Sequence, residues 1–165
     1  MKGWLLDTNI IASLTSPGGA PTVKAWVAAQ DEETLFLSVL SLAEYDKGIH
    51  QLPEDDPLRA RYAANRDAIE TRFGARVLPV SNAVIRRWGA IAGRTKRETG
   101  HPPPVIDTLL AATALDANLY LVTRNTKDMT GTGAVVFSPW EDDPAEFALT
   151  EGLATSKPKI GRAHV

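Results

Sequence analysis

Two acids occupy positions that the apolar pattern of this chain reserves for core. In residues 104–129, PVIDTLLAATALDANLYLVTRNTKDM, Asp107 has Val105, Ile106, Leu109, Leu110 and Ala112 around it at helical spacing, which predicts a helix with a largely buried face. An unpaired carboxylate in such a face is expensive. Residues 119–123 then read as a short buried strand that delivers a polar loop, Thr123-Arg124-Asn125 through Asp128. Two more acids have similar settings: Asp7 follows the apolar run Trp4-Leu5-Leu6, and Glu44 closes Val39-Leu40-Ser41-Leu42-Ala43. Sites in open α/β sheets gather at the carboxyl ends of strands. Four acids from distant segments therefore point to one metal site.

Composition narrows what that metal can be. The chain has no cysteine, and His50, His101 and His164 are too scattered to act as a pair, so the ion is expected to be held by oxygen. At 165 residues and 44% hydrophobic content the chain can form one compact domain with its own core. It contains no apolar run long enough to span a bilayer, and Met1-Lys2-Gly3-Trp4 leads straight into a strand with no signal peptide. A soluble, cytoplasmic protein with no membrane association is expected. The net charge of −2 argues against a non-specific nucleic-acid coat, although pooled acids would mask a basic rim elsewhere.

In chain order, strands are predicted at residues 3–6, 34–37, 76–80, 119–123 and 134–137. Thr8-Asn9 can cap a first helix beginning with Ile10. A second starts near Pro21 with Val23, Trp26 and Val27 on one face, and a third spans 39–51 with Ser41, Glu44 and Gly48 on one stripe. Residues 58–73 form a fourth, closed by Gly74, whose arginines read as solvated. A fifth, capped by Ser81 or Asn82, runs to Thr99 with Val84, Trp88 and Ile91 buried. Its other face carries Arg87, Arg94 and Arg97, read as solvated helix surface with an RNA-contacting rim as the alternative. Gly100 and the prolines at 102–104 end that helix, which leaves Asp107 near the next N-terminus, where the helix dipole favours an ionised carboxylate. Strands alternating with helices predict an α/β fold with a parallel sheet. Each acid alone has an ordinary explanation, as a cap, a dipole partner or an ion pair; all four together do not.

Four segments carry a family resemblance: Leu5-Leu6-Asp7-Thr8-Asn9; Ser38-Val39-Leu40-Ser41-Leu42-Ala43-Glu44 with Gly48; Asp107-Thr108-Leu109-Leu110-Ala111-Ala112-Thr113-Ala114; and Leu121-Val122-Thr123-Arg124-Asn125 with Asp128. In this order and spacing they resemble PIN-domain ribonucleases, and within them the VapC and FitB toxins of bacterial toxin–antitoxin pairs. The resemblance covers about residues 3 to 140. It departs at Tyr45-Asp46, where an apolar residue and often a base would follow the glutamate, at Met129 in place of a frequent phenylalanine, and at Asn125, neutral where some relatives have a further acid.

The resemblance implies a three-layer α/β/α PIN domain over residues 1–141, with a central, mostly parallel sheet, followed by a tail over 142–165. It implies an Mg²⁺- or Mn²⁺-dependent endoribonuclease leaving 5′-phosphate and 3′-hydroxyl ends, in which Asp7, Glu44, Asp107 and Asp128 hold the metal directly or through water. Asp7 and Asp107 are the expected direct ligands, and Thr8, Asn9, Thr123 and Asn125 the residues that orient them or meet substrate. One ion or two is left open. The expected partners are an RNA substrate, a cognate antitoxin and a second copy of the chain. The alternatives are a housekeeping PIN nuclease that processes RNA, and a non-catalytic binding module. Residues 160–165, IGRAHV, match what one frame of a sequencing adapter encodes and are expected to be read-through.

Overall fold

The computed structural model describes residues 1–150; the residues read as adapter-derived lie outside them. Five parallel strands make one sheet in the order β3-β2-β1-β4-β5: β1 Trp4–Leu6, β2 Leu35–Ser38, β3 Val77–Leu78, β4 Tyr120–Val122 and β5 Val136–Phe137. β1, β3, β4 and β5 are shorter than the sequence predicted, and β2 keeps four residues, one position later. Seven helices connect them among the described residues: α1 Thr8–Thr15, α2 Pro21–Ala29, α3 Val39–Gln51, α4 Pro57–Phe73, α5 Asn82–Thr99, α6 Val105–Ala117 and α7 Thr126–Met129. None is long and apolar enough to cross a membrane.

Side chains of successive strand residues point to opposite faces, and here both faces are covered. Trp4, Leu6, Leu35, Leu37, Tyr120, Val122 and Phe137 pack with Ile10, Ile11, Val23, Trp26, Val27, Leu42, Ile69 and Phe73 from α1 to α4. Leu5, Leu119 and Leu121 pack on the other face with Leu110, Ala111 and Ala114 of α6 and Met129 of α7. Behind α6, Val84 and Ile91 of α5 pack on Ala112, with Trp88 partly buried against them. The result is the three-layer α/β/α arrangement, with α5 as an outer helix. Arg87, Arg94 and Arg97 are exposed on it.

An aromatic cluster occupies the first face. Trp4 meets Trp26 edge-on at 4.9 Å between ring centroids and lies 4.9 Å from Tyr120 and 5.3 Å from Phe137. Phe137 also lies 5.0 Å from Trp26 and 4.8 Å from Phe147. Phe147 belongs to a C-terminal segment that strap-like crosses this face: the Tyr120 hydroxyl donates to the Ala148 carbonyl at 2.7 Å, and the Thr150 amide donates to the Met1 carbonyl at 2.7 Å. Beyond Trp140, then, the chain carries apolar residues that pack on the core.

Two local readings are corrected. Asp7 itself, not Thr8 or Asn9, is the N-cap of α1, which begins at Thr8. The segment carrying Asp128 is the one-turn helix α7 instead of a loop; four residues are too few for periodicity to register.

Phe137 is fully buried among Trp4, Trp26 and Phe147. Phe137→Ala is expected to cost about 3–5 kcal/mol and to lower the melting temperature by roughly 10 °C, read by denaturant and thermal unfolding. A loss under about 1 kcal/mol would show that the cluster is not the main source of packing on this face.

Candidate active site

The strand order places the site. From β1 the chain moves to β2 and β3 on one side, then returns to β4 and β5 on the other, so the carboxyl ends of β1 and β4 flank the point where connectivity reverses, the usual ligand crevice of open parallel sheets. Asp7 leaves β1 there and Thr123 leaves β4. Ser38 at the end of β2, fully buried, accepts a hydrogen bond from the Leu40 amide at 3.1 Å and so starts α3, which carries Glu44 in its second turn. Pro104 precedes α6 and puts Asp107 in its first turn. Asp128 comes from α7, just after β4.

Asp7 is 5% exposed, and both its oxygens are engaged. Oδ1 accepts from the Thr8 amide at 2.6 Å; Oδ2 accepts from the Thr123 hydroxyl at 2.8 Å and from the Asn9 side-chain amide at 3.3 Å. Asn9 Nδ2 also donates to Thr123 Oγ1 at 3.2 Å, and its Oδ1 accepts from the Arg124 amide at 3.3 Å. The Asn125 amide donates to Thr123 Oγ1 at 3.1 Å. Of the four residues expected to support the acids, Asn9 and Thr123 therefore do so through side chains and Thr8 through its backbone. Asn125 acts one step removed, through its backbone on Thr123, and its side chain is exposed.

The four acids share one electrostatic neighbourhood. Burial pushes the Asp7 carboxyl above its ordinary value of 3.8; the bonds from Thr123, Thr8 and Asn9 oppose that shift, and Glu44 adds to it. Asp107 is also pushed up, by partial burial first and then by the negative charges of Asp7, Asp128 and Glu44. The dipole of α6 favours the ionised form, but burial and three like charges outweigh it. Glu44 and Asp107 are half-buried and Asp128 is exposed. Among the described residues none of the four has a salt-bridge partner.

This donor set suits a hard divalent cation, since oxygen ligands and uncompensated negative charge select Mg²⁺ or Mn²⁺. Among the described residues no group of three or more Asp, Glu or His side chains stands close enough together to hold a metal ion by itself. Nearby lies a cleft of about 390 Å³ lined by Thr8, Glu44, Tyr45, Arg61 and Tyr62, among others. Sequence reading missed its α4 wall: Arg61 and Tyr62 sit on a helix with little apolar periodicity, and only the packing of α4 on α3 brings them here. Arg124 follows Thr123 after β4, with its guanidinium 5.2 Å over the Trp140 ring.

The chain belongs to the PIN-domain family, whose model matches residues 4–130. It is 29% identical over 138 residues to the toxin FitB of Neisseria gonorrhoeae, covering 84% of this chain and 99% of that protein. It is 30% identical over 139 residues to the VapC ribonuclease Y4jK of Sinorhizobium fredii, covering 83% and 97%. Among solved structures, FitAB bound to an IR36 DNA fragment superposes with a TM-score of 0.76 at 27% identity, over 85% of this chain and 97% of that one.

The shifted acids fix a pH dependence. Both Asp7 and Asp107 have folded-state values raised above 3.8, so the folded protein binds these protons more tightly than the unfolded chain does. Stability of the metal-free protein then falls as pH rises from the unfolded value through the raised folded values, and the penalty is fully present above them. Asp107→Asn removes part of it. In chelator, the variant is expected to gain on wild type in denaturant midpoint as pH rises from about 4 towards 7, with the gap closing on acidification. A gap of the same size at every pH would show that neither burial nor the neighbouring carboxylates raise the Asp107 value in the folded protein.

Proposed function

We propose that this chain is a metal-dependent endoribonuclease, the toxin of a VapC- or FitB-type toxin–antitoxin pair. The observation that carries this reading is the set of four carboxylates, none ion-paired among the described residues, collected at the switch point around the hydrogen-bonded Asp7. The named relatives, a VapC ribonuclease and a FitB toxin matched over nearly their whole length, support the same activity.

Asp7 and Asp107 would hold the ion directly, with Glu44 and Asp128 acting through water or on a second ion. A bound Mg²⁺ or Mn²⁺ supplies a water acidic enough to give hydroxide near neutral pH and positive charge at the scissile phosphate. Thr123 and Asn9 hold the Asp7 carboxylate in position through their bonds to Oδ2. Glu44, at the open side, orients the attacking water and takes up its proton. Attack at phosphorus would break the bond to the 3′ oxygen, which leaves with a proton from solvent, giving 5′-phosphate and 3′-hydroxyl ends. The chain acts as a homodimer and is restrained by a small antitoxin. The solved complexes of its structural relatives, among them FitAB on DNA and FitAcB from Neisseria gonorrhoeae, support pairing with an antitoxin.

Asp107→Asn separates this from a purely structural role. RNA cleavage is expected to drop at least about 10²-fold, on the order of 2.7 kcal/mol of transition-state stabilisation, while the metal-free melting temperature stays equal to or above that of wild type. Added Mg²⁺ should raise the wild-type melting temperature more than the variant's, because a ligand stabilises only the state that binds it. Cleavage that persists at wild-type rate in the variant, or in the presence of chelator, contradicts the proposal.

A further inference from the structure

Every buried serine and threonine hydroxyl but one has a partner among the described residues. Thr108 and Thr113 donate to the carbonyls one turn before them, of Pro104 and Leu109, and Thr132 donates to the Met129 carbonyl. Thr123 donates to Asp7, while Ser38 and Ser138 accept from backbone amides. Ser41 is 4% exposed, and its Oγ bonds to no other group of the polypeptide. A helical serine can donate to the carbonyl four residues earlier, here that of Leu37, yet Ser41 does not. A buried polar group without a partner is costly to keep.

The fold turns this hydroxyl towards the acids. Consecutive helix residues stand about 100° apart around the axis. To one side of Ser41, Leu42 packs into the core of the first sheet face; to the other, Leu40 packs into the cluster on the second face, with Ile106, the neighbour of Asp107. Ser41 lies between the two and is buried, so it faces the strand ends that separate the two clusters. α3 starts from Ser38, where β2 ends, and β2 pairs with β1, which leads into Asp7. α3 also packs on α1, whose N-cap is Asp7. Glu44 follows Ser41 by one turn on the same stripe, and its negative charge reaches both Asp7 and Asp107. Gly48 carries the stripe on to the cleft that Glu44 lines. The stripe thus runs from a buried hydroxyl, through a carboxylate, to an open groove.

We propose that Ser41 is a positioning residue of the metal site: its hydroxyl finds the hydrogen bond it lacks in a water on the bound cation, next to Glu44. This rests on the metal-dependent reading of the four acids and adds a fifth residue to it. Mg²⁺ sheds its waters reluctantly and is held directly by only one or two carboxylates, so groups that bond to those waters help to fix its place. A hydroxyl can accept from such a water and donate its own proton to a carboxylate. It also adds no charge to a set of acids that already raise one another.

The test compares wild type, Ser41→Ala and Ser41→Thr by isothermal titration with Mn²⁺ and by denaturant unfolding in chelator and in Mn²⁺. Ser41→Ala is expected to bind Mn²⁺ about 10-fold more weakly or worse. Its unfolding midpoint in chelator should equal or exceed that of wild type, because the hydroxyl has no bond to lose in the metal-free protein and alanine is the better helix former. Mn²⁺ should then raise the midpoint of Ser41→Ala less than that of wild type. Ser41→Thr, which keeps a hydroxyl, should bind Mn²⁺ more tightly than Ser41→Ala. A hydroxyl that serves only the helix gives the reverse, a midpoint lowered equally with and without Mn²⁺ and an unchanged affinity. Ser41→Ala within twofold of wild type in Mn²⁺ affinity, a chelator midpoint below wild type, or Ser41→Thr no tighter than Ser41→Ala overturns the inference, and leaves the four-acid site standing as long as wild type binds Mn²⁺. Wild-type protein that takes up no Mn²⁺ overturns the metal-dependent reading itself, and this inference with it.

Discussion

The hydrogen bond from the Thr123 hydroxyl to Asp7 Oδ2, 2.8 Å long and fully buried, is the contact on which the site depends. It joins the ends of the adjacent strands β1 and β4 at the point where strand order reverses. A carboxylate 5% exposed is tolerable only when its lone pairs are used. Three donors meet that need here, two from the turn after β1 and one from β4. Asn9 then ties the two loops a second time through the Arg124 amide, so the direction of the Asp7 carboxylate is set by the sheet register and not by a flexible side chain.

Charged groups elsewhere in the protein behave in the opposite way. Glu32 lies between Arg72 and Arg76, and the hydrogen bonds from Arg72 lead in holding its carboxyl down to about 2. Arg76 also donates to the Glu32 and Leu35 carbonyls, fastening the end of α4 to the start of β2. These are ordinary surface clamps, favoured when ionised. Asp7 and Asp107 are pushed up instead, which marks groups held against their electrostatic preference, a pattern that concentrates at functional sites. The packing of Trp4, Trp26, Tyr120, Phe137 and Phe147 is part of the core that offsets that cost.

Much of this was legible in the sequence. The alternation Trp4, Leu5, Leu6 could be read as a strand buried on both sides, and an acid after it as a strand-end group, because both follow from period and burial alone. Asp107 stood out for the same reason. The capping role of Asp7 was harder to see, since Thr8 and Asn9 are equally good caps by type. The α7 turn has only four residues and leaves no periodic trace. The Arg61 and Tyr62 wall lay out of reach because α4 buries little beyond Ile69 and Phe73, and its contribution to the cleft arises from the packing of α3 on α4, with no local sequence signal. Asn125 was expected to help orient the carboxylates; the bond that it makes to Thr123 is from its backbone amide, which any residue but proline at that position could supply.

Mn²⁺ binding to Thr123→Val, measured by isothermal titration calorimetry beside wild type, tests most directly whether the β1–β4 link builds the metal site. Valine keeps the size of the side chain and removes the hydroxyl that orients Asp7. With the fold retained by circular dichroism, the expected result is a loss of Mn²⁺ affinity of about 10- to 100-fold, the usual effect of removing a group that orients a metal ligand. Mn²⁺ affinity unchanged from wild type would contradict it, and would mean that the carboxylates at this edge do not depend on Thr123 for their arrangement.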